Sequence, residues 1–144
     1  ELVESVKGQA GAEFGRLAVL GEFSKGIVDG ERLRRNIRKL HEGGVRVLVG
    51  TDSPIAAVFP GGSFHEELAV LHDAGIPNDV LLRRATVEGA RLLSRDVDFG
   101  VLEVGKRADL LVVKGDPLKE LAALREPAWL FKDGKPVERV LPSR

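Results

Sequence analysis

The chain has 144 residues, 43% hydrophobic and 31% charged, which allows one domain with a real core and excludes a disordered polymer. Its 22 basic and 22 acidic side chains cancel, so the charge balance points to no nucleic-acid and no membrane-surface partner. Cysteine is absent, which excludes disulfides and thiolate catalysis and fits a cytoplasmic location, and no apolar run reaches the ~20 residues of a membrane span.

Residues 1 to 30 are glycine-rich with weak periodicity and read as loop with one short helix. From Glu31 the pattern sharpens. Leu33, Ile37 and Leu40 fall on one helical face, the basic cluster 32–39 forms the solvated face, and Gly43-Gly44 supplies the stop. "VRVLV" (45–49) follows at once and predicts a strand buried on both faces, ending in the polar turn Gly50-Thr51-Asp52-Ser53-Pro54. A helix running through a glycine turn into an all-apolar strand is half of a parallel βα repeat.

Ser63 followed by Glu66 is a capping-box pattern that opens a second helix, with Phe64, Leu68 and Leu71 as its apolar stripe. Gly75 ends it, and Ile76 is placed for the hydrophobic contact just beyond. Asn78 or Asp79 is expected to cap a third helix through Leu82, and Thr86 to restart a fourth through Leu93. Near residue 95 the texture changes to short apolar runs between glycines. Ala108 to Val113 is the clearest strand there, and Asp133-Gly134 predicts the turn of a closing hairpin.

Taken in order, "LHEGGVRVLVGTDSP" (40–54), "SFHEELAVLHDAGI" (63–76), "ATVEGARLL" (85–93) and "GVLEVGKRADLLVVKGDPL" (100–118) resemble the C-terminal portion of a metal-dependent amidohydrolase. "WLFKDGKPV" (129–137) is similar to the closing hairpin of that family, in its imidazolonepropionase-like and Xaa-Pro dipeptidase-like branch. The resemblance implies an α/β fold: the C-terminal part of a (β/α)₈ TIM barrel in residues 1–95 and part of its small β-sandwich in 96–144. Residues 45–49 would then be the eighth barrel strand, with Asp52 at the catalytic rim. A full barrel takes ~250 residues, and this chain begins at Glu1 and has no methionine, so a piece of a longer protein is expected.

Taken alone, an acid in a Thr-Asp-Ser-Pro loop is what an Asx-turn looks like. The resemblance makes Asp52 a metal contact and general base, taking a proton from a metal-bound water and passing it to the departing amine. It also places His65 where a histidine can face substrate; a surface histidine is the alternative. Glu66 and Glu67 are adjacent on a helix and point apart, so they make no carboxylate pair. Gly105, Lys106 and Asp109 match the family as a tight turn into a sandwich strand. The implied cofactor is a divalent metal, zinc, as one or two ions. Its other ligands, a His-x-His pair, a carboxylated lysine and further histidines, are not in this chain.

The expected activity is therefore hydrolysis of a C–N bond in a small-molecule cyclic amide or dipeptide by the intact enzyme, this piece being inactive alone. Its expected partner is the missing N-terminal part of the barrel, or a second copy in a homo-oligomer. The rival readings are a non-catalytic remnant acting as a structural or oligomerising module, and an amidohydrolase with deaminase or deacetylase activity.

Overall fold

A computed structural model describes residues 29–53, 58–93 and 97–138. The glycine-rich segment 1–28, Pro54 and the boundary near residue 95 lie outside the described residues.

The first helix among the described residues, α1 (Gly30–Glu42), starts where Asp29 accepts hydrogen bonds from the backbone N–H groups of Glu31 and Arg32, at 3.0 and 3.1 Å. Such a cap satisfies donors that have no partner inside the helix. It stops as the glycine pair predicts. Gly44 takes φ +79° and donates to His41 O, while Val45 N donates to Leu40 O. Helix α2 (Gly62–Asp73) stops by the same device: Gly75, at φ +98°, donates to His72 O and Ile76 N to Leu71 O. Both are Schellman stops, which need a left-handed residue that glycine supplies without a Cβ clash.

The start of α2 departs from expectation. Gly61, not Ser63, is its N-cap, and no side chain caps it. Ser63 lies inside the first turn, and its Oγ accepts from Phe59 N at 2.9 Å. The hydroxyl that would have bonded forward, with Glu66 bonding back, instead pins the incoming loop, and Glu66 is left exposed. Helix α3 (Asn78–Arg83) likewise starts at Pro77 with no side-chain cap. Asn78 Nδ2 reaches forty residues on and donates to Leu118 O at 3.0 Å.

No fourth helix restarts at Thr86. The chain continues from α3 through a π-helical turn (Arg84–Glu88) directly into α4 (Gly89–Leu93). Thr86 Oγ1 donates to Leu82 O at 2.7 Å inside this turn. A threonine bonding back in this way bends helices, and π turns sit where the regular ladder is displaced.

Leu68, Leu71, Ile76 and Leu81 form the buried cluster, with Ile37 of α1, Phe64 of α2, Val80 of α3 and Val47 and Val49 packed against it. Each fully buried leucine or isoleucine contributes about 1.5–3 kcal/mol relative to exposure. Arg38 of the basic cluster also ties α1 to α2, because its Nε donates to Ala74 O at 3.0 Å and its Nη2 to Asp73 O at 3.3 Å. The cluster predicted to be a solvated face thus includes one cation that meets carbonyls at the end of a neighbouring helix.

Residues 45–53 differ most from the sequence expectation, since they belong to no helix or strand. Val47 and Val49 pack on the core and Leu48 between them is half-buried, while Val45 is 48% exposed, so burial fades towards the start of the segment. A parallel strand needs a neighbour to complete its ladder, and no described segment pairs with this one.

The C-terminal part follows the prediction closely. Strand β1 (Leu110–Val113) pairs antiparallel with β2 (Pro127–Lys132), and β2 with β3 (Lys135–Pro136), in the order β1-β2-β3. The β2–β3 turn places Asp133 and Gly134 at φ +52° and +74°, the pair of left-handed conformations that a two-residue hairpin prefers. A 3₁₀ helix (Leu121–Arg125) precedes β2 and lays Leu121 and Leu124 on the α2 core, joining the sheet to the helices.

Asp109 fastens this sheet. It accepts from Lys132 Nζ at 2.6 Å, from Asp133 N at 3.0 Å and from Arg107 Nε at 3.0 Å. The Lys132 bond above all, then the Asp133 N–H and Arg107, hold its carboxyl at about 2, against an ordinary 3.8. A lowered folded-state value means that this group stabilises the fold above its unfolded value and loses that contribution as pH falls towards about 2. The thermal midpoint is therefore expected to drop from pH 3.8 to about 2 more steeply in the wild-type chain than in Asp109→Asn; equal slopes in pH-dependent melts would contradict this.

Arg84, in the π turn, is 7% exposed, and its Nε and Nη1 have no hydrogen-bond partner among the described residues. Its Nη2 lies 3.5 Å from His41 Nδ1, the outer limit of a hydrogen bond. A buried guanidinium with two of its three nitrogens unpartnered among the described residues keeps a desolvation cost that one long contact to His41 does not offset. Arg84→Met, which keeps most of the volume, is expected to raise the unfolding free energy by about 1–4 kcal/mol, read from denaturant melts; a lowered midpoint would show that the guanidinium stabilises.

Candidate functional site

The apolar segment 45–49 delivers a turn whose hydrogen bonds, among the described residues, are made by Gly50, Thr51 and Ser53 and not by the Asp52 side chain. Gly50 N donates to Glu67 Oε1 of α2 at 2.8 Å, anchoring the start of the turn. Thr51 Oγ1 accepts from Ser53 N at 3.3 Å, and Ser53 Oγ donates to Val58 O at 3.3 Å. The side-chain-closed turn is thus Thr51's. Asp52 makes no Asx-turn: its side chain is exposed, accepts no hydrogen bond among the described residues, and sits at φ +55°. The left-handed region costs an L-residue about 1–2 kcal/mol, less for aspartate than for most others. A carboxylate that holds no contact among the described residues, set out on an anchored turn, is chemically available.

Sequence reasoning dismissed Glu67 as half of an unsuitable acid pair. Its role is to hold the acid-bearing turn against α2, through a contact between residues seventeen apart that no local pattern announces.

His65 is half-buried on the first turn of α2, with its ring edge-on to Phe64 at 5.8 Å and 76°. It lines an open groove of about 620 Å³. Thr51 and Phe64 share its side of the groove, and Leu111, Leu124 and Arg125 come from the sheet-bearing part. Thr51 brings the acid-bearing turn to this groove, while Asp52 is not among the lining residues.

Burial first, and then the charge of Arg125, hold His65 below the ordinary imidazole value, so the ring is biased to its neutral form. An NMR titration is expected to place His65 below about 6.5 and to move it upward in Arg125→Gln. An unmoved midpoint would remove Arg125 as a cause. Arg125 itself escaped the sequence reading, because nothing local links the end of a 3₁₀ helix to a histidine sixty residues earlier.

Among the described residues no cluster of three or more histidine, cysteine, aspartate or glutamate side chains could hold a metal ion. Asp52 offers one carboxylate, and a catalytic zinc takes three protein ligands, so the described residues do not build a metal site by themselves. His72 is exposed, and His41 faces Arg84. Gly105, at φ +86°, forms the tight turn before β1, and Lys106 Nζ donates to Val97 O at 3.0 Å, both structural roles. No helix among the described residues is long and apolar enough to cross a membrane.

Helices that pack an apolar, acid-tipped segment and carry a small antiparallel sheet define a partial amidohydrolase-type α/β fold. The model of the amidohydrolase family matches residues 23–137, and the chain belongs to that family. Among solved structures, one assigned as a prolidase from Bifidobacterium longum is 40% identical with a TM-score of 0.65, covering 75% of this chain and 26% of that one. A Xaa-Pro dipeptidase with methionine bound in its active site is 35% identical with a TM-score of 0.62, covering 74% and 25%. The N-substituted formamide deformylase of Arthrobacter pascens is 33% identical over 104 residues, 62% of this chain and 19% of the relative. The 5-methylthioadenosine/S-adenosylhomocysteine deaminase of Caldanaerobacter subterraneus subsp. tengcongensis is 33% identical over 84 residues, 54% and 19%. The chain thus spans about a fifth of the curated relatives it matches and about a quarter of the solved ones.

Proposed function

We propose that the intact protein hydrolyses a C–N bond, in a dipeptide or a cyclic amide, and that this chain supplies the last βα unit of its (β/α)₈ barrel together with part of a small β-sandwich. Residues 1–95 form the barrel portion and 96–144 the sandwich portion. The observation that carries the reading is Asp52: exposed and without a hydrogen-bond partner among the described residues, on a turn that Thr51 and Glu67 hold in place. Its carboxylate accepts the proton of the attacking water and delivers it to the departing amine, and His65 binds substrate. A divalent metal, as one or two zinc ions, would be held by Asp52 together with ligands from outside these residues, and would supply hydroxide near neutral pH.

Leu92, Leu93, Leu102 and Val104 are between 71% and 107% exposed, and in the proposed assembly the remainder of the barrel or a second copy covers them. Dipeptides are favoured over formamides and aminopurines because the dipeptidase-type structures are the more similar and cover more of this chain. The test is a panel assay on the full-length protein, following amine release from dipeptides, cyclic amides, N-substituted formamides and aminopurine nucleosides. Release from dipeptides or cyclic amides is expected. Turnover confined to aminopurine nucleosides would replace the proposal with deamination, and no turnover of any class would favour a non-catalytic module.

A further inference from the structure

We infer that Glu67 is a positioning residue for Asp52: its carboxylate, fastened to the backbone at the start of the turn, fixes where the acid stands and so controls the rate of the reaction. The inference rests on the hydrolytic reading above and adds to it a residue of helix α2 that acts through Asp52 rather than on substrate.

Three hydrogen bonds close the segment that carries Asp52 onto one face of α2. At its start Gly50 N donates to Glu67 Oε1 at 2.8 Å. At its far end Phe59 N donates to Ser63 Oγ at 2.9 Å. Between the two arms Ser53 Oγ donates to Val58 O at 3.3 Å. Ser63 and Glu67 are an i, i+4 pair within α2, so they lie one above the other on the same face. Both ends of the acid-bearing segment are therefore held by side chains of a single helix.

The two fastenings differ in strength. Ser63 offers a neutral hydroxyl, whereas Glu67 offers a carboxylate, and hydrogen bonds to a charged acceptor are roughly twice as strong. Glu67 is half-buried and enters no ion pair among the described residues, so Gly50 N is the partner its charge engages. Val49 packs on the core just before the turn. At Gly50 itself nothing lies within 4 Å of the position a Cβ would take, so no neighbour packs on that side and the Glu67 bond carries the anchor into the turn.

Asp52 needs that support, because it holds a left-handed backbone at φ +55° that surrounding structure must impose. The Thr51–Ser53 bond shapes the turn locally but moves with it. A general base works only within about 2.6–3.2 Å of its proton partner, and a misplacement of about 1 Å can cost about a hundredfold in rate. A fastening at Gly50 acts at that scale.

The test is steady-state amine release by the full-length protein, with the compound of the panel above that is turned over fastest as probe. Glu67→Ala is expected to lower kcat about ten- to a hundredfold and leave KM unchanged, since Glu67 touches no substrate. Glu67→Gln keeps a carbonyl oxygen for Gly50 N and is expected to retain most of kcat. In an Asp52→Asn background Glu67→Ala is expected to add no further loss, because the group it positions is already gone. A merely structural role would instead lower the melting midpoint and cut turnover in both backgrounds alike. Unchanged kcat in Glu67→Ala, a change confined to KM, no rescue by Glu67→Gln, or full additivity with Asp52→Asn overturns the inference. Hydrogen exchange of the Gly50 amide, expected to quicken in Glu67→Ala and not in Glu67→Gln, reads the fastening without turnover; equal exchange in all three chains overturns it too. The two readings fail separately. Loss of activity in Asp52→Asn with none in Glu67→Ala sinks the positioning role alone, whereas a wild type that turns over nothing sinks the hydrolytic reading and the catalytic consequence of Glu67 with it.

Discussion

Replacing Asp52 with Asn lowers turnover of the full-length protein by about two to four orders of magnitude, the range a positioned general base contributes. The substitution removes one negative charge and almost no volume. Asp52 is exposed, donates to nothing and accepts from nothing among the described residues, so its loss leaves the turn intact. Asparagine also tolerates the left-handed backbone that Asp52 adopts at φ +55°. Stability and activity therefore separate in this variant: kcat falls while the thermal midpoint stays. Turnover near the wild-type level would remove Asp52 from the chemistry. A collapsed midpoint would show that the carboxylate has a structural duty instead.

The second large effect belongs to the core. Leu81 is fully buried at 0% exposure and joins Leu68, Leu71 and Ile76 in the cluster that holds α2 and α3 together. Leu81→Ala is expected to lower the unfolding free energy by about 2–5 kcal/mol, the transfer cost of the lost methyl groups plus the cavity left behind. A domain's total stability is only about 5–15 kcal/mol, so the variant uses up a large share of it. Denaturant melts of the two chains read the difference directly. A loss below about 1 kcal/mol would mean that the cluster repacks freely and is not the centre of the fold. The same variant loosens the acid-bearing turn indirectly, since Val47 and Val49 pack on this cluster.

What could be read in the sequence was whatever a few neighbouring residues decide. Gly43-Gly44 and Gly75 end their helices because a left-handed residue is required there, and Asp133-Gly134 makes the hairpin for the same reason. The family resemblance located the acid, the helix carrying His65 and the sheet-forming segment. What could not be read was settled by contacts between distant residues. Ser63 and Glu66 have the capping-box spacing, yet the loop before them enters so that Gly61 begins the helix and the Ser63 hydroxyl meets Phe59. Asn78 looks like a cap and instead holds Leu118, forty residues away. Thr86 looks like a restart, and its hydroxyl bonds backward inside a π turn that never leaves the helix.

The valine-rich segment 45–49 shows the limit in another way. Its composition is that of a strand covered on both faces, but a strand is a property of a pair, and no partner is present among the described residues. The candidate site behaved likewise. Asp52 and His65 are expected from local motif and family likeness, whereas Glu67 and Arg125 became visible only when folding brought segments together around one turn and one groove.

The central claim is that Asp52 is this chain's contribution to a metal-dependent hydrolytic site completed by residues outside it. The most direct test is to strip the purified full-length protein of metal with a chelator and follow amine release from a dipeptide as zinc is returned in measured amounts. The account predicts no turnover after stripping and recovery that saturates at one or two zinc ions per chain. Undiminished hydrolysis by the metal-free protein would contradict it.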